Sequence, residues 1–223
     1  MKKFLSIILT VIIIISMTSC GKDTNHSSNS SSGANIEVQT STSYKITGTG
    51  FTVSIPDSYT VFTKENIATQ KHDHIDKALY EKIKSSINEN ANLIAISPDQ
   101  KNEIQVQCDV DEEYRIYQNF DLFSEDEALK YGRNIEDVYK EQLDVTFDEL
   151  KLVTLNEQRY MYFHGKNNGK KYSYNEFLQY TTYVDNVSFT MVSRPLGDNF
   201  LTENDKNTFS NVFNSLIVEY QIS

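Results

Sequence analysis

The second half of the sequence alternates between apolar and polar residues over four consecutive stretches, at positions 150–155, 159–164, 172–184 and 187–193. A period of two is typical of β-strands, whose successive side chains point to opposite faces of a sheet. The segments between them, Asn156-Glu157, Asn167-Asn168-Gly169 and Asp185-Asn186, contain residues that tolerate positive φ and therefore favour tight turns. Strands joined by tight turns pair with their neighbours in the chain, so a four-stranded antiparallel meander is predicted here.

Three other segments show the helical period. Residues 74–88 form one predicted helix, with Asp73 as its N-cap. Ser124 and Glu127 form a capping box that predicts the start of a second helix, and Thr202 is predicted to cap a third. The expected apolar stripes are Ile75, Leu79, Ile83 and Ile87; Ala128, Tyr131, Ile135, then Val138 or Tyr139 and Gln142 or Leu143; and Phe209, Val212, Phe213, Leu216 and Ile217.

Four further strands complete the predicted order. Residues 44–47 and 51–55 flank a turn that contains Gly48 and Gly50, and residues 92–97 and 103–110 form a hairpin. The resulting order is β-β-α-β-β-α-β-β-β-β-α. Helices in such an order must pack on an antiparallel sheet, so the predicted fold class is α+β.

The N-terminus has the organisation of a secretory signal peptide. Lys2 and Lys3 precede an apolar run at 5–15, and small residues follow up to Cys20. The ending Met17-Thr18-Ser19-Cys20 resembles the bacterial lipobox, in which the cysteine is linked to diacylglycerol and becomes the first residue of the mature chain. Cys20 is therefore predicted to be the lipid-attachment site, on the extracytoplasmic face of the cell membrane. The alternatives are a secreted protein with a chance cysteine and a retained membrane helix, although the run is shorter than the ~20 residues that span a bilayer.

Composition divides the chain into three parts. Residues 1–19 are the predicted signal peptide, and residues 20–42 are a Ser- and Asn-rich segment expected to be a flexible linker. Residues 43–223 are expected to form a single α+β domain. An alternative is that Ile36 to Val38 add an edge strand to that domain.

Charge and motifs exclude several function classes. The chain has 21 basic and 31 acidic residues, a net charge of −10, and no basic stripe interleaved with aromatic residues, so nucleic-acid binding is not expected. No G-x-S-x-G, P-loop, H-E-x-x-H or G-x-G-x-x-G motif is present. We therefore expect no enzymatic activity, and we assign no catalytic residue, cofactor or metal ligand.

Two clusters could bind a cation, but each has a simpler interpretation. His72 and His74 lie beside Asp73 and Asp76, yet a zinc site needs three or four converging ligands, and a polar helix N-terminus accounts for the same residues. The acidic run of Asp109 with residues 111–113 lacks the spacing of an EF-hand loop and is interpreted as a solvated strand end.

Three other features could serve a binding function or the fold. Lys166, Lys170 and Lys171 at a hairpin tip could contact an acidic partner or keep the loop soluble. Cys108 is interpreted as a buried thiol because no activating His is adjacent. The tyrosines of the meander are interpreted either as cross-strand core pairs or as a binding surface. They are Tyr160, Tyr162, Tyr172, Tyr174, Tyr180 and Tyr183; the strand period places Tyr172, Tyr174 and Tyr180 on one face and Tyr183 on the other.

Two segments resemble a known superfamily. The stretch F-T-V-S-I-P-D-S-Y at 51–59 is similar to the opening "Phe-x-Ile-x-Ile-Pro-x-Gly-Trp" of the PsbP-like superfamily, and F-S-N-V-F-N-S-L-I-V at 209–218 is similar to its last helix. The resemblance implies a PsbP-like α+β domain with an accessory or partner-binding role and no shared catalytic residues. We therefore expect a non-enzymatic, lipid-anchored protein that binds an envelope partner. The alternative is an extracytoplasmic carrier of a small ligand or metal ion, which a deep apolar pocket would favour.

Overall fold

The computed structural model describes residues 40–110, 119–168 and 174–219. A short 3₁₀ turn, Phe120–Leu122, precedes the second helix. In chain order, the elements are β1 (Ser41–Lys45), β2 (Phe51–Pro56), β3 (Thr60–Thr63), α1 (Lys77–Glu89), β4 (Leu93–Ile96), β5 (Asn102–Val110), α2 (Glu125–Leu143), β6 (Val145–Leu155), β7 (Gln158–Asn167), β8 (Glu176–Val184), β9 (Val187–Pro195), α3 (Glu203–Asn214) and β10 (Ile217–Val218).

A seven-stranded antiparallel sheet, in the order β3-β4-β5-β9-β8-β7-β6, forms the centre of the molecule. The strands β6 to β9 are neighbours in chain order, which confirms the predicted meander. Asn156, Glu157 and Asp185 in its turns have φ values of 50°, 68° and 54°, the left-handed conformation that tight hairpins require. A second sheet, β1-β2-β10, is smaller. The α+β class is confirmed.

The central sheet is covered on both faces. Helix α2 packs its buried stripe on β6, β7 and β8, and α1 packs on β3 and β4, on the same face of the sheet. The opposite face is covered by the small sheet and α3, through Phe51, Val53 and Ile55 of β2 and Phe209, Val212 and Phe213 of α3. Among the described residues, none of the helices combines the length and apolar character needed to span a bilayer.

Several element boundaries differ from the sequence prediction. Helix α1 begins at Lys77, and its N-cap is Asp76, whose Oδ1 accepts hydrogen bonds from the amides of Ala78 (2.9 Å) and Leu79 (3.1 Å). The prediction of Asp73 as the cap is therefore wrong. The capping box of Ser124 with Glu127 is confirmed, and so is the cap at Thr202.

The short strands β3 and β10 were not predicted, and the first strand begins at Ser41, inside the range assigned to the linker. Helix α3 ends at Asn214, so the predicted continuation of its stripe through Leu216 and Ile217 is wrong. Leu216 is still buried, but Ile217 belongs to β10 and is half exposed.

The strands define two opposite ends of the molecule. The Thr40 end contains Thr40, the 97–102 connection and residues 195–202. The backbone amide of Asp57 donates to the carbonyl of Thr40, and β3, which begins at Thr60 just after Asp57, pairs there with Ile96 beside the 97–102 connection. Asn102 in turn pairs with Pro195. The Leu122 end contains Val110, residues 119–123, the turns at 156–157 and 185–186, and β10. Hydrogen bonds from side chains link the parts of this end. The side chains of Asp121 and Asn119 accept hydrogen bonds from the backbone amides of Arg159 and Asp185, respectively. The side-chain amide of Asn156 donates to the carbonyl of Leu216.

Candidate functional site

The meander tyrosines are largely core residues. Tyr160 and Tyr180 are buried on the face covered by α3, where the Tyr180 ring stacks on Phe213 with 3.7 Å between ring centroids. Tyr174 and Tyr183 are buried on the α2 face. Only part of Tyr162, which lies directly opposite Tyr180, is accessible. An exposed tyrosine surface on this sheet is therefore ruled out for Tyr160, Tyr174, Tyr180 and Tyr183.

The face assigned to Tyr174 was wrong. Strand β8 begins at Glu176, so Tyr174 lies before the strand and does not follow its alternation. Tyr174 instead packs edge-on against Phe177, in the cluster beneath α2. Tyr180 and Tyr183 do lie on opposite faces, as predicted, and Tyr172 is outside the described residues.

Burial raises the pKa of three tyrosines near this part of the core. Desolvation, followed by the nearby Glu149 carboxylate, raises the pKa of Tyr180 to about 12. Burial also raises the pKa of Tyr59 to about 12 and that of Tyr162 still further above its usual range. The three phenols therefore keep their protons above pH 10, where an exposed tyrosine ionises.

The two histidines of the candidate metal cluster serve separate local contacts. The His72 ring stacks on Tyr80 at 3.7 Å, and its Nδ1 lies 2.9 Å from the carbonyl of Gln70. His74 Nε2 lies 2.8 Å from Thr60 Oγ1. Within the part of the chain that the structure describes, no group of three or more His, Cys, Asp or Glu residues is arranged to hold a metal ion.

The remaining candidate residues are distributed between the core and the surface. Cys108 is buried in β5, as predicted, and burial raises the pKa of its thiol well above the usual range. Lys166 forms an ion pair with Asp148 at 2.6 Å, and Asp109 accepts from Gln107. Cys20, residues 111–113, Lys170 and Lys171 lie outside the described residues.

Two side-chain pairs within the central sheet, one an ion pair and one a hydrogen-bonded His–Glu pair, were not predicted. Arg194 Nε donates to Glu103 Oε1 across β9 and β5, and His164 Nε2 lies 2.8 Å from Glu176 Oε2 across β7 and β8. Burial favours the neutral form of the Arg194 guanidinium, but the Glu103 carboxylate and Tyr174 together outweigh this effect and raise the pKa of Arg194. A charged residue inside an apolar strand was the available signal, but identifying its partner requires the strand register.

The Leu122 end gathers exposed apolar side chains. The large hydrophobic residues that are more than half exposed, among those the structure describes, are Val110 (52%), Leu122 (67%), Phe200 (66%) and Ile217 (53%). Three of these lie at the Leu122 end, whereas Phe200 lies at the Thr40 end. Sequence analysis missed this grouping because the three residues belong to a strand end, a 3₁₀ turn and a two-residue strand.

An open groove lies at the same end of the molecule. It has a volume of about 440 Å³ and runs between the outer side of β1 and the end of β3. Its lining consists of Ser43, Tyr44, Lys45, Ile46, Thr47, Thr63, Lys64, Glu65 and Asn92. One of its two flanking lysines, Lys45, is engaged by Glu219 at 2.8 Å. The groove is therefore open and lined mainly by polar residues, unlike a typical small-molecule pocket.

Comparison with known proteins identifies the fold. No protein-family model matches the sequence, and no curated protein matches it. The structure is similar to the solution structure of cyanobacterial PsbP (CyanoP) from Synechocystis sp. PCC 6803, with a TM-score of 0.51, 10% identity, and coverage of 85% of this chain and 98% of that one. A crystal structure from Bacteroides thetaiotaomicron VPI-5482 aligns with a TM-score of 0.36 and 13% identity, over 78% of this chain and 47% of that one. The first likeness agrees with the resemblance of the 51–59 and 209–218 segments, and the chain has a PsbP-like fold.

Proposed function

We propose that this chain is a lipid-anchored extracytoplasmic protein without enzymatic activity, which binds a protein partner of the cell envelope through its Leu122 end. The observation that carries the proposal is the grouping of Val110, Leu122 and Ile217 at one end of a molecule whose central sheet is filled on both faces. Exposed apolar side chains that gather in one region are typical of contact surfaces.

The position of Thr40 supports the same orientation. A linker over residues 20–39, as we propose, would join the domain at Thr40, which lies at the end opposite Leu122. A flexible segment of the length of residues 20–39 has a reach of roughly 25 Å, enough to hold the domain clear of the headgroups. Attachment through Cys20 therefore leaves the Leu122 end accessible to a partner.

The carrier hypothesis has less support. Two grooves lined by described residues are both open: the polar groove beside β1 and a smaller one of about 150 Å³ between α3 and the small sheet. A carrier would need a pocket that encloses most of its ligand. If the ligand were a metal ion, His72 and His74 would be expected to bind it together. In the structure, His72 stacks on Tyr80 and His74 lies beside Thr60.

The test is crosslinking in the cells that make the protein, followed by purification of the full chain. We expect a reproducible envelope protein in the crosslinked product, and we expect Leu122→Asp to abolish it because a carboxylate cannot be buried against an apolar contact surface. Phe200→Asp is the matched control, since Phe200 is equally exposed but lies at the opposite end. Equal crosslinking by both variants would contradict the proposed surface.

The anchor is tested on the same purified material. Mass spectrometry of the mature chain should show a start at Cys20 and the mass of two fatty acyl chains. Cys20→Ser should release the protein from the membrane fraction. An unmodified Cys20 in the mature chain would overturn the anchored part of the proposal without affecting the partner surface.

A further inference from the structure

The outer edge of β6 is the most exposed strand edge of the central sheet. β6 is the terminal strand, and none of the described strands pairs with its outer side. β6 is 11 residues long, and only Val145 among them is buried. β3, at the opposite edge of the sheet, is only four residues long. An edge of this length leaves a row of backbone amides and carbonyls available for another strand.

Half-buried apolar side chains flank this edge on both faces of the sheet. Leu150 and Leu152 contact the cluster beneath α2, while Val153 and Tyr162 contact the cluster beneath α3 and the small sheet. An added strand would complete the burial of these side chains on both faces. Removal of this apolar surface from water would favour the added strand.

The charges on β6 indicate which strand would fit. Glu149 and Lys151 lie on one face and form an ion pair at 2.7 Å, with each side chain about half exposed. We infer that β6 pairs antiparallel with β6 of a second copy, around a two-fold axis at Leu150. In this arrangement Glu149 of each copy lies opposite Lys151 of the other, so the charge pair occurs twice.

Neighbouring registers are less favourable. An axis at Glu149 or at Lys151 places like charges opposite each other, which destabilises a strand pair. An axis at Leu152 places Lys151 opposite Val153 and leaves the charges without partners across the interface. The sequence Glu149-Leu150-Lys151 is thus complementary to itself in one register.

A β-bulge in β6 extends this complementarity. Phe147 pairs with Gly165 and Glu149 pairs with His164, so Asp148 is an extra residue. The bulge places Phe147 on the α2 face together with Leu150 and Leu152. With Asp148 looped out, the register centred on Leu150 brings Phe147 of one copy opposite Leu152 of the other.

Charges and bulges also protect edge strands from indiscriminate pairing. Here they act selectively, because the same two charges that repel in the adjacent registers attract in the one centred on Leu150. The inference concerns β6 alone and does not depend on a partner at the Leu122 end.

The test is disulfide crosslinking of the full-length, lipid-anchored protein in isolated membranes. Residues opposite each other in an antiparallel pair have Cα atoms about 4.5–5.5 Å apart, within the range that a disulfide spans. Leu150→Cys should therefore crosslink two copies on mild oxidation. Thr154→Cys is the matched control on the same strand, because its two copies would lie roughly 27 Å apart along the paired strands.

Charge reversal in the Leu150→Cys background tests the register. Glu149→Lys or Lys151→Glu alone should lower the initial crosslinking rate about fivefold or more, because each makes both interface pairs repulsive. The two reversals together should restore the rate. If Glu149 and Lys151 interact only within one copy of the chain, the crosslinking rate should be the same in all three charge variants.

Three outcomes overturn the inference. One is the absence of a crosslink in Leu150→Cys while circular dichroism shows the native fold. Another is equal crosslinking by Thr154→Cys, which would indicate random collision. The third is failure of the doubly reversed variant to recover the rate, which would assign the interface to a different register or surface.

Discussion

Gly165 shows how a single missing side chain is used in the sheet. It lies in β7 directly opposite Phe177 of β8, and the Phe177 ring covers the space that a Cβ would occupy. The backbone of Gly165 is not in the left-handed region, so its role is one of close approach and not of conformational freedom. Phe177 in turn packs against Tyr139 of α2 and against Phe147.

Gly165→Ala should therefore destabilise the protein. The added methyl would displace the Phe177 ring, and overpacking of this kind typically costs about 1–3 kcal/mol. Urea denaturation followed by circular dichroism measures the change. In a Phe177→Leu background the same substitution should cost less, because the smaller side chain leaves room, and equal costs in the two backgrounds would contradict the packing explanation. Thr154→Ala, on the exposed edge, is the control and should change stability by less than about 0.5 kcal/mol.

At the scale of single elements, the start of α1 gives the clearest test. Asp76 and Asp73 are both acidic residues near the beginning of an apolar stripe, but only Asp76 accepts hydrogen bonds from two unpaired helix amides. The polar segment before it, with His72 on Tyr80 and His74 on Thr60, is held by local contacts.

Asp76→Ala should lower the free energy of unfolding by about 1 kcal/mol, the usual cost of losing an N-cap side chain. Asp73→Ala is the matched control and should have a much smaller effect, because Asp73 lies outside the helix. Thermal unfolding at neutral pH measures both variants. A larger loss for Asp73→Ala would mean that the helix begins one turn earlier than the structure has it.

The helices, strands and turns that were predicted correctly depend on interactions between residues close in sequence. The meander, the turns at Asn156-Glu157 and Asp185, and the caps at Ser124 and Thr202 depend on residues close in sequence, and all were predicted correctly. Strand β3 was missed because Val61 and Phe62 are both buried, so the strand does not alternate. The strand β10 has only two residues and exists because β2 offers a free edge.

Long-range pairing explains what was missed at the candidate sites. The partners Glu103 and Arg194 are 91 residues apart, and only the β5–β9 register brings them together. Likewise, the exposure of Leu122 and Ile217 depends on how the sheets meet at one end. The tyrosine composition indicated an aromatic core or surface, but the choice between them required the packing of α3 on the sheet.

At the scale of the whole molecule, buried tyrosines couple stability to alkaline pH. The pKa of Tyr180 is raised to about 12, chiefly by burial, so the folded state retains a phenolic proton that the unfolded chain loses near pH 10. Above pH 10 the unfolded state therefore binds fewer protons, and the free energy of unfolding decreases as the pH rises toward 12.

Tyr180→Phe should reduce this alkaline loss. Urea denaturation midpoints measured between pH 9 and pH 11.5 should fall less steeply for the variant than for the natural chain, because one coupled phenol has been removed. Between pH 7 and pH 9 the two curves should run parallel, which serves as the internal control. Identical slopes above pH 10 would show that Tyr180 does not contribute to the coupling.

The strand β1 has a mechanical consequence for an anchored protein. It follows directly from Thr40, and its five residues, Ser41–Lys45, are paired with β2 along their full length. A pulling force between Thr40 and the far end of the molecule is directed along β1, so the paired residues are loaded in shear and must yield together. A force across the strands would instead open them one by one, like a zipper, at a much lower load. A tether joined at Thr40, as proposed above, would therefore load the β1–β2 pairing in shear.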